Sequence, residues 1–265
     1  MRRFSPVLAA ILLVFMIGCN DGPEQPDTAA LPPPVPVMSY RILATHPHDT
    51  SSFTEGLEFY QNTLLESTGE HGKSKLIRTD LASGKALQEV SLDPKLFGEG
   101  LTVLNDTLYQ LTYKENRVLV YDARTFNKIG ELPLKGEGWG LTNDGKSLIA
   151  SNGSSDLFFY DPKGFTLQKT LPVRESGSVV LNINELEYVN GFIYANQWQY
   201  SYILKIDANT GEVVSKLDLT DLVNKVKATE PWMDTLNGIA YDPTTKKFYI
   251  TGKNWSKLYE IQFGN

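Results

Sequence analysis

The fold is decided by a short hairpin pattern, and one copy of it is EGLTVLNDTLYQLTY, residues 99–113. Two apolar runs of strand length flank a polar turn at Asn105 and Asp106. The same arrangement recurs as EGLEFYQNTLLEST from residue 55, WGLTNDGKSLIASN from 139, NELEYVNGFIYANQW from 184 and NGIAYDPTTKKFYITGKNW from 237. The pattern therefore predicts five related units.

A second hairpin follows the first one in four of these units. Its copies are KLIRTDLASGKALQEV, RVLVYDARTFNKIGEL, DLFFYDPKGFTLQKTL and YILKIDANTGEVVSKL. In each copy an alternating strand ends in an aspartate, whose side chain can bond the backbone two residues on and so begin a turn. These aspartates are Asp80, Asp122, Asp161 and Asp207. Four strands in a period of about 40–50 residues indicate the blades of a β-propeller.

The fifth unit ends at KLYEIQFGN, after its third strand. The stretch YRILATHPHD, residues 40–49, precedes the first unit and has no partner of its own. If residues 40–47 paired with the strand at 258–262, they would close the ring and cover an exposed edge. We therefore expect an all-β, five-bladed propeller over residues 40–265, with a short helix at 219–228 as the one helical candidate. A pair of β-sandwiches or a β-solenoid fits the long period less well.

Composition narrows the class of protein. The chain has 265 residues, 41% of them hydrophobic, which is enough for a sizeable core. Its net charge of −6, with no basic cluster, argues against a nucleic-acid partner. A single cysteine excludes an internal disulfide framework, and no group of histidines and cysteines has the spacing of a zinc site.

The N-terminus has the pattern of an exported, lipid-anchored protein. Residues 1–19 combine a basic start, a fourteen-residue apolar run and the ending MIGC, which resembles a bacterial lipobox with Cys19 as the lipidated residue. An ordinary secretory signal is the alternative. Residues 20–38 are rich in proline and small residues, and we interpret them as a flexible tether. The expected location is the bacterial cell envelope, in the periplasm or at the outer membrane.

The position just before the first strand of each unit is the candidate site. In a propeller the first strands line the central channel, so these five positions form a ring around one mouth. The residues in the ring are Glu55, Glu99, Trp139, Asn184 and Asn237. These residues differ between units, while the neighbouring glycine and leucine mostly recur. Variation at one position of a repeat indicates that its residues serve a ligand and not the fold. The alternative is that each residue caps its own strand. The fourth unit also departs in having Glu185 where others have glycine.

Several stretches together resemble the plant and bacterial glutaminyl-peptide cyclotransferases. They are PHDTSSFTEGL, ESTGEHGKSKL, FGEGLTVLNDTLYQLTY, GEGWGLTNDG, LNINELEYVNGFIYANQW, LNGIAYD and TGKNWSKLYEI, in order along residues 40–265. The resemblance implies a five-bladed propeller that converts N-terminal glutamine to pyroglutamate and releases ammonia.

The resemblance also implies particular site residues. The essential glutamate of that family matches Glu99, its asparagine Asn184 and its lysine Lys253, while an aromatic pair matches Phe53 and Trp198. The sequence departs from the family at Glu55, where glutamine is commoner. Tyr113 and Trp255 end the second strands of their blades as Trp198 does in the fourth.

The chemistry of this reaction suits these residue types. Glu99 can take the proton of the α-amine and return it to the departing ammonia, and a nearby Glu55 would raise one of the two pKa values. Asn184 and Lys253 can donate hydrogen bonds to the substrate carbonyl. We expect Phe53, Trp139 and Trp198 to wall the glutamine side chain, with Glu55 and Asn237 also contacting substrate.

We expect a monomer that acts on peptides or proteins with N-terminal glutamine, needs no cofactor for catalysis, and is tied to the membrane by its lipid. A structural metal ion in the channel is left open. Two alternatives from other classes are a non-catalytic envelope scaffold and a calcium-dependent lactonase-type hydrolase, which would need several carboxylates in the channel.

Overall fold

The structure, a computed structural model, describes residues 33–263. Two strands precede the repeated units, β1 (Val37–Met38) and β2 (Tyr40–Pro47). Blade 1 comprises β3 (Thr54–Tyr60), β4 (Thr63–Thr68), β5 (Lys75–Thr79) and β6 (Ala86–Ser91). Blade 2 comprises β7 (Gly98–Leu104), β8 (Thr107–Thr112), β9 (Arg117–Asp122) and β10 (Lys128–Pro133).

The later blades carry the additional elements. Blade 3 comprises β11 (Leu141–Asn143), β12 (Leu148–Ala150), β13 (Asp156–Asp161) and β14 (Thr166–Pro172), and a small hairpin, β15 (Arg174–Glu175) and β16 (Ser178–Val179), follows it. Blade 4 comprises β17 (Ile183–Val189), β18 (Phe192–Gln197), β19 (Tyr202–Asp207) and β20 (Val213–Asp218). The helix α1 (Thr220–Thr229) leads to blade 5, whose strands are β21 (Leu236–Asp242), β22 (Lys247–Gly252) and β23 (Lys257–Phe263).

The predicted five-bladed propeller is confirmed. Each blade is an antiparallel meander, and its first strand packs beside the first strands of the two neighbouring blades, with β21 returning to β3. The ring is closed by β2, which pairs antiparallel with β23 from Tyr40 opposite Phe263 to Pro47 opposite Lys257. The N-terminal strand thus supplies the fourth strand of blade 5, as the unpaired stretch at 40–47 predicted.

The ordered propeller begins slightly earlier than the sequence predicted. Residues 37 and 38 were expected to belong to the tether, but Val37 and Met38 form β1, which pairs in parallel with Lys216 and Leu217 of β20. The pairing arises because β20 is the outer strand of its blade and has a free edge. The signal segment with Cys19, and tether residues 20–32, lie outside the described residues.

The predicted turns and helix are also present. Oδ1 of each turn aspartate accepts a backbone N–H at 2.8–3.0 Å. The donors are Ser83 for Asp80, Arg124 for Asp122, Lys163 for Asp161 and Asn209 for Asp207. The helix α1 buries Leu222 and Val226 against a core cluster shared by blades 4 and 5. Within residues 33–263, no helix has both the length and the apolar character needed to cross a membrane.

Close approach of the innermost strands explains the recurring glycine. A Cβ atom on Gly56 would lie 2.6 Å from the backbone nitrogen of Leu101, and one on Gly140 would lie 2.1 Å from the carbonyl oxygen of Asn184. Both separations are too short for any side chain. The blades therefore meet around the channel through backbone contacts at these positions.

Glu185 replaces that glycine in blade 4 and has a structural role. Its Oε1 accepts the N–H of Leu57 at 3.1 Å, and its Oε2 accepts the N–H of Ile239 at 2.8 Å. The carboxylate therefore bridges the innermost strands of blades 1, 4 and 5. Burial raises the pKa of Glu185 well above its usual range despite these two hydrogen bonds. The side chain satisfies backbone donors that the channel would otherwise leave unpaired.

Candidate active site

Local backbone irregularities occur where four of the five ring residues stand. In four blades the pairing between the first and second strands shifts register where the ring residue stands, between Thr54 and Gly56, Gly98 and Leu101, Ile183 and Leu186, and Leu236 and Ile239. Such a bulge adds a residue to one strand and redirects its side chain. The irregularities place Glu55, Glu99 and Asn184 at the mouth formed by the N-terminal ends of the innermost strands.

A cavity of about 430 Å³ opens at this mouth. Seven of the eight residues predicted for the substrate site line it, and they are Phe53, Glu55, Glu99, Trp139, Asn184, Trp198 and Lys253. The eighth, Asn237, lies behind Glu55 rather than on the cavity wall. Its carboxamide nitrogen donates to Oε2 of Glu55 at 3.2 Å and to the carbonyl oxygen of Thr54 at 3.0 Å. Asn237 therefore positions Glu55.

Glu55 and Lys253 form a buried ion pair in the cavity wall. The Lys253 Nζ lies 2.7 Å from Oε1 of Glu55 and 4.4 Å from the centre of the Phe53 ring. Burial raises the pKa of Glu55 to about 7, with the charge and hydrogen bond of Lys253 opposing the rise. The pair fixes the ammonium at the cavity surface, where its other N–H groups make no hydrogen bond to the described residues and can meet a ligand.

The Glu99 carboxylate, unlike that of Glu55, is not paired with another side chain of the described residues. Its backbone carbonyl accepts the hydroxyl of Ser67, but within residues 33–263 its carboxylate has no hydrogen-bond or ion-pair partner. Burial raises the pKa of Glu99 well above its usual range, and the charge of Glu55 adds to the rise. The positive charge of Lys253 opposes it. A buried, unpaired carboxyl with a raised pKa in a cavity is suited to carrying a proton.

Asn184 presents an unused amide to the same space. The structure gives its carboxamide oxygen no hydrogen-bond partner among the described residues, although that atom is fully enclosed. Its backbone is held in place because the Asn184 carbonyl accepts the Ser151 hydroxyl at 2.7 Å. The carboxamide nitrogen likewise makes no hydrogen bond to the described residues, and it is the group that can donate to a ligand in the cavity.

Aromatic rings form the remaining walls. Trp139 and Trp198 meet edge to face, with ring centres 5.6 Å apart. Phe53 meets Phe97 in the same manner at 6.3 Å, and Phe97 leads on to Tyr113 at 5.7 Å. The cavity therefore offers a small set of polar groups within apolar walls, the usual composition of a site for a small organic group.

The cavity also includes residues that the sequence reasoning missed. Phe97 precedes Glu99 by two positions as Phe53 precedes Glu55, so this spacing could have identified it. Gln199, Asp234 and Thr235 belong to connecting segments without a repeated pattern.

Of the other aromatic residues at strand ends, Tyr113 lines the cavity. Trp255 is instead fully buried in the core, and its Nε1 donates to the carbonyl of Asp234 at 3.0 Å. Within residues 33–263, no three His, Cys, Asp or Glu side chains come together as a candidate metal site.

Comparison with known proteins agrees with the fold. A family model described as glutamine cyclotransferase matches residues 10–263. The chain is 39% identical over 231 residues to glutaminyl-peptide cyclotransferase from Arabidopsis thaliana, covering 85% of this chain and 72% of that protein. It superposes on the crystal structure of Myxococcus xanthus glutaminyl cyclase with a TM-score of 0.81 and 36% identity, covering 87% of this chain and 98% of that one. The chain therefore belongs to the glutamine cyclotransferase family.

Proposed function

We propose that this protein converts the N-terminal glutamine of peptides or proteins to pyroglutamate and releases ammonia. The observation that carries the proposal is the unpaired Glu99 carboxyl, buried beside the Glu55–Lys253 pair in an aromatic cavity. Membership of the glutamine cyclotransferase family supports the same activity.

The first task in this reaction is removal of a proton from the substrate α-ammonium, whose pKa is about 8. A carboxyl with the ordinary pKa of 4.5 would accept that proton only at a cost of about 5 kcal/mol. The raised pKa of Glu99 reduces this mismatch. Glu99 takes the proton, and the neutral amine then attacks the γ-carboxamide carbon of the same residue.

The second task is stabilisation of the oxygen that becomes negative when the amine attacks. The Lys253 ammonium and the Asn184 carboxamide both face the cavity and can donate hydrogen bonds to this oxygen. The new C–N bond closes a five-membered ring. When the C–N bond to the original amide nitrogen breaks, Glu99 returns its proton to that nitrogen, which leaves as ammonia, and the ring nitrogen releases its remaining extra proton to solvent.

The aromatic walls exclude competing chemistry. Trp139, Trp198 and Phe53 enclose the space that the glutamine side chain would occupy. Water admitted there would hydrolyse the amide to glutamate instead of allowing ring closure. No cofactor takes part in the proposed steps.

The direct test is ammonia release from a glutamine-initiated dipeptide by the chain lacking residues 1–19. The product should lose the mass of one ammonia and lack a free amine. The same dipeptide with an acetylated N-terminus is the control, because it retains the amide but lacks the nucleophile. Ammonia from the acetylated peptide would indicate an amidase, and its absence from both would leave a binding protein. Loss of activity in EDTA would favour a metal-dependent mechanism.

We further propose that the protein is anchored in the bacterial cell envelope through a lipid on Cys19. The proposal rests on the apolar run that ends in MIGC and on the proline-rich segment after it. Labelling of cells with a radioactive fatty acid should mark the wild type and leave Cys19→Ser unlabelled. Equal labelling of the two proteins would reject this site.

A further inference from the structure

A second cavity of about 290 Å³ adjoins the proposed active site. The two cavities share three lining residues, Gln199, Asp234 and Thr235, so they lie on either side of these residues. Its outer walls include Tyr200 and Val223. We call this smaller cavity the side groove.

Helix α1 and two connecting segments form the side groove. One follows β18, and the other joins α1 to β21. The first is tied to the start of the helix because the Leu219 N–H donates to the Ser201 carbonyl at 2.8 Å. The second is tied to the active site because Asp234 and Thr235 exchange backbone hydrogen bonds with Lys253 at 2.9 and 3.0 Å. The side groove therefore has a fixed geometry relative to the lysine of the site.

The surface of the side groove is largely apolar. Val223 and Met233 pack on the core cluster of blades 4 and 5 while remaining partly accessible, and Leu236 forms part of the wall. Tyr200, which is 48% exposed, stands at the rim. Lys227 and Asp234 also line the side groove. Because their charges are opposite, neither a cation nor an anion would be attracted by both.

A polar atom at the junction has no hydrogen-bond partner among residues 33–263. The Thr235 hydroxyl oxygen is enclosed and makes no hydrogen bond to the described residues, although the residue lines both cavities. The exposed Gln199 lies at the same junction. Gln199 is therefore the accessible polar side chain that a peptide backbone passing from one cavity to the other would meet.

We propose that the side groove binds an apolar side chain on the second residue of the substrate peptide. The inference rests on the proposed cyclisation, in which all the reacting atoms belong to the first residue. The peptide continues from the carbonyl carbon of that residue and has to leave the active-site cavity. The shared residues provide an exit, and the apolar walls beyond it fit a leucine or phenylalanine side chain.

The side groove should affect binding rather than chemistry. Interactions that are equal in the ground state and the transition state lower KM and leave kcat unchanged. An apolar side chain in such a site typically changes kcat/KM by about tenfold or more. We expect wild-type protein to prefer Gln-Leu over Gln-Gly by roughly this factor, mostly through KM.

The experiment compares kcat/KM for Gln-Leu and Gln-Gly in wild type, Val223→Asp, Tyr200→Ala and Val214→Asp. Val223→Asp places a charge in the side groove and should bring the ratio close to one by raising the KM for Gln-Leu. Tyr200→Ala alters only the exposed rim and should reduce the ratio in part, even if Val223→Asp fails to fold. Val214→Asp is the matched control, because Val214 lies on β20 and is 38% exposed away from the side groove.

If wild type turned over both peptides with equal kcat/KM, the inference would be overturned while cyclisation stayed established. The same conclusion would follow if the ratio of kcat/KM were unchanged in Tyr200→Ala and in folded Val223→Asp. Failure of wild type to release ammonia from either peptide would overturn the proposed function, and this inference with it.

Discussion

The Lys253 ammonium lies 2.7 Å from Oε1 of Glu55, with the two side chains only 7% and 3% exposed. Asn237 holds the other oxygen of Glu55 from behind, at 3.2 Å. Removing two charges from water has a cost that their attraction does not always repay, so a buried pair is a poor source of net stability. Its position in the cavity wall indicates instead that it holds the lysine for a ligand.

Breaking this pair should destabilise the protein. Lys253→Met leaves Glu55 buried without its counter-charge, and we expect a loss of about 3–5 kcal/mol in the free energy of unfolding. The loss should grow as the pH rises above about 7, since the pKa of Glu55 is about 7 with the lysine present and would be higher without it. Urea unfolding at several pH values would measure this dependence.

The double variant Lys253→Met/Glu55→Gln is the partner experiment, because it removes both charges. It should recover most of the lost stability. Lys75→Met, which breaks the exposed pair with Glu89, should leave the unfolding midpoint almost unchanged. Equal stability of the Lys253→Met single and double variants at high pH would show that Glu55 is not the source of the loss.

Glu55→Gln alone should move the pH dependence of catalysis. The charge of Glu55 raises the pKa of Glu99 and that of Lys253 lowers it. Removing the first charge leaves the second unopposed, so the pKa of Glu99 should fall. Because Glu99 is active as a base when deprotonated, the acidic limb of the kcat/KM profile should shift to lower pH. Profiles measured from about pH 5 to about pH 9 would show the shift.

Glu58→Gln provides a matched control for this measurement. Burial raises the pKa of Glu58 to about 7, and its carboxylate accepts the N–H of Val103 at 3.0 Å. It lines a different cavity, with Glu187, near the C-terminal ends of the innermost strands. The acidic limb should stay in place in this variant. A limb that moved to higher pH in Glu55→Gln would contradict the proposed coupling.

The propeller could be predicted because its determinants are local. Each hairpin has its own alternation and turn, and aspartates such as Asp80 bond their own turns. The ring position could also be predicted, since a glycine such as Gly140 recurs wherever the innermost strands approach closely.

Contacts between blades could not be predicted in the same way. The pairing of Glu55 with Lys253 joins residues separated by 198 positions, and it depends on how the last blade meets the first. Asn237 fits the ring pattern, yet it positions Glu55 instead of lining the cavity. Gln199 and Thr235 reach the cavity from connecting segments, which have no period to follow.

The buried pair of His48 and Glu66 should make stability depend on pH. Their side chains are 3.1 Å apart. Burial lowers the pKa of His48, but the charge and hydrogen bond of Glu66 outweigh it, so the pKa is raised above 6.5. The stabilisation is therefore fully present below about pH 6.5 and is lost as the pH rises through the folded-state pKa.

The stability difference between wild type and His48→Gln measures this contribution separately from other titrating groups. It should be largest at about pH 6 and decrease toward about pH 9. His71→Gln is the control, because the His71 side chain is largely exposed. A His48 difference that increased with pH would mean that the imidazole is neutral in the folded state.

Strand β2 should be required for a closed, monomeric ring. A chain that starts at Pro47 lacks the partner of β23 and leaves that edge open for pairing with another copy. We expect a lower melting temperature and aggregation, measured by calorimetry and light scattering. Of the described strands, a chain starting at Ser39 loses β1 alone, and it should behave like wild type. A Pro47 chain that stayed monomeric with an unchanged melting temperature would refute the closure argument.

Glu99→Gln should test Glu99 as the proton carrier while leaving the surrounding structure unchanged. Glutamine keeps the size and the hydrogen-bonding reach of the side chain but cannot accept the proton of the amine. The fold should remain intact, because the Glu99 carboxylate makes no hydrogen bond to the described residues that the exchange could break. We expect kcat to fall by about 10²–10⁴-fold, the usual contribution of general acid–base catalysis, with a much smaller change in KM.

Cyclisation of a glutamine-initiated dipeptide by Glu99→Gln and by Glu55→Gln decides between the two carboxylates. Glu55→Gln keeps an acceptor oxygen for Lys253, and its NH2 can donate to the carboxamide oxygen of Asn237, which has no partner among the described residues, so it should stay active. A nearly fully active Glu99→Gln beside an inactive Glu55→Gln would make Glu55 the proton carrier. If both variants were fully active, neither carboxylate would be needed to move the proton, and the substrate amine would have to lose it to water.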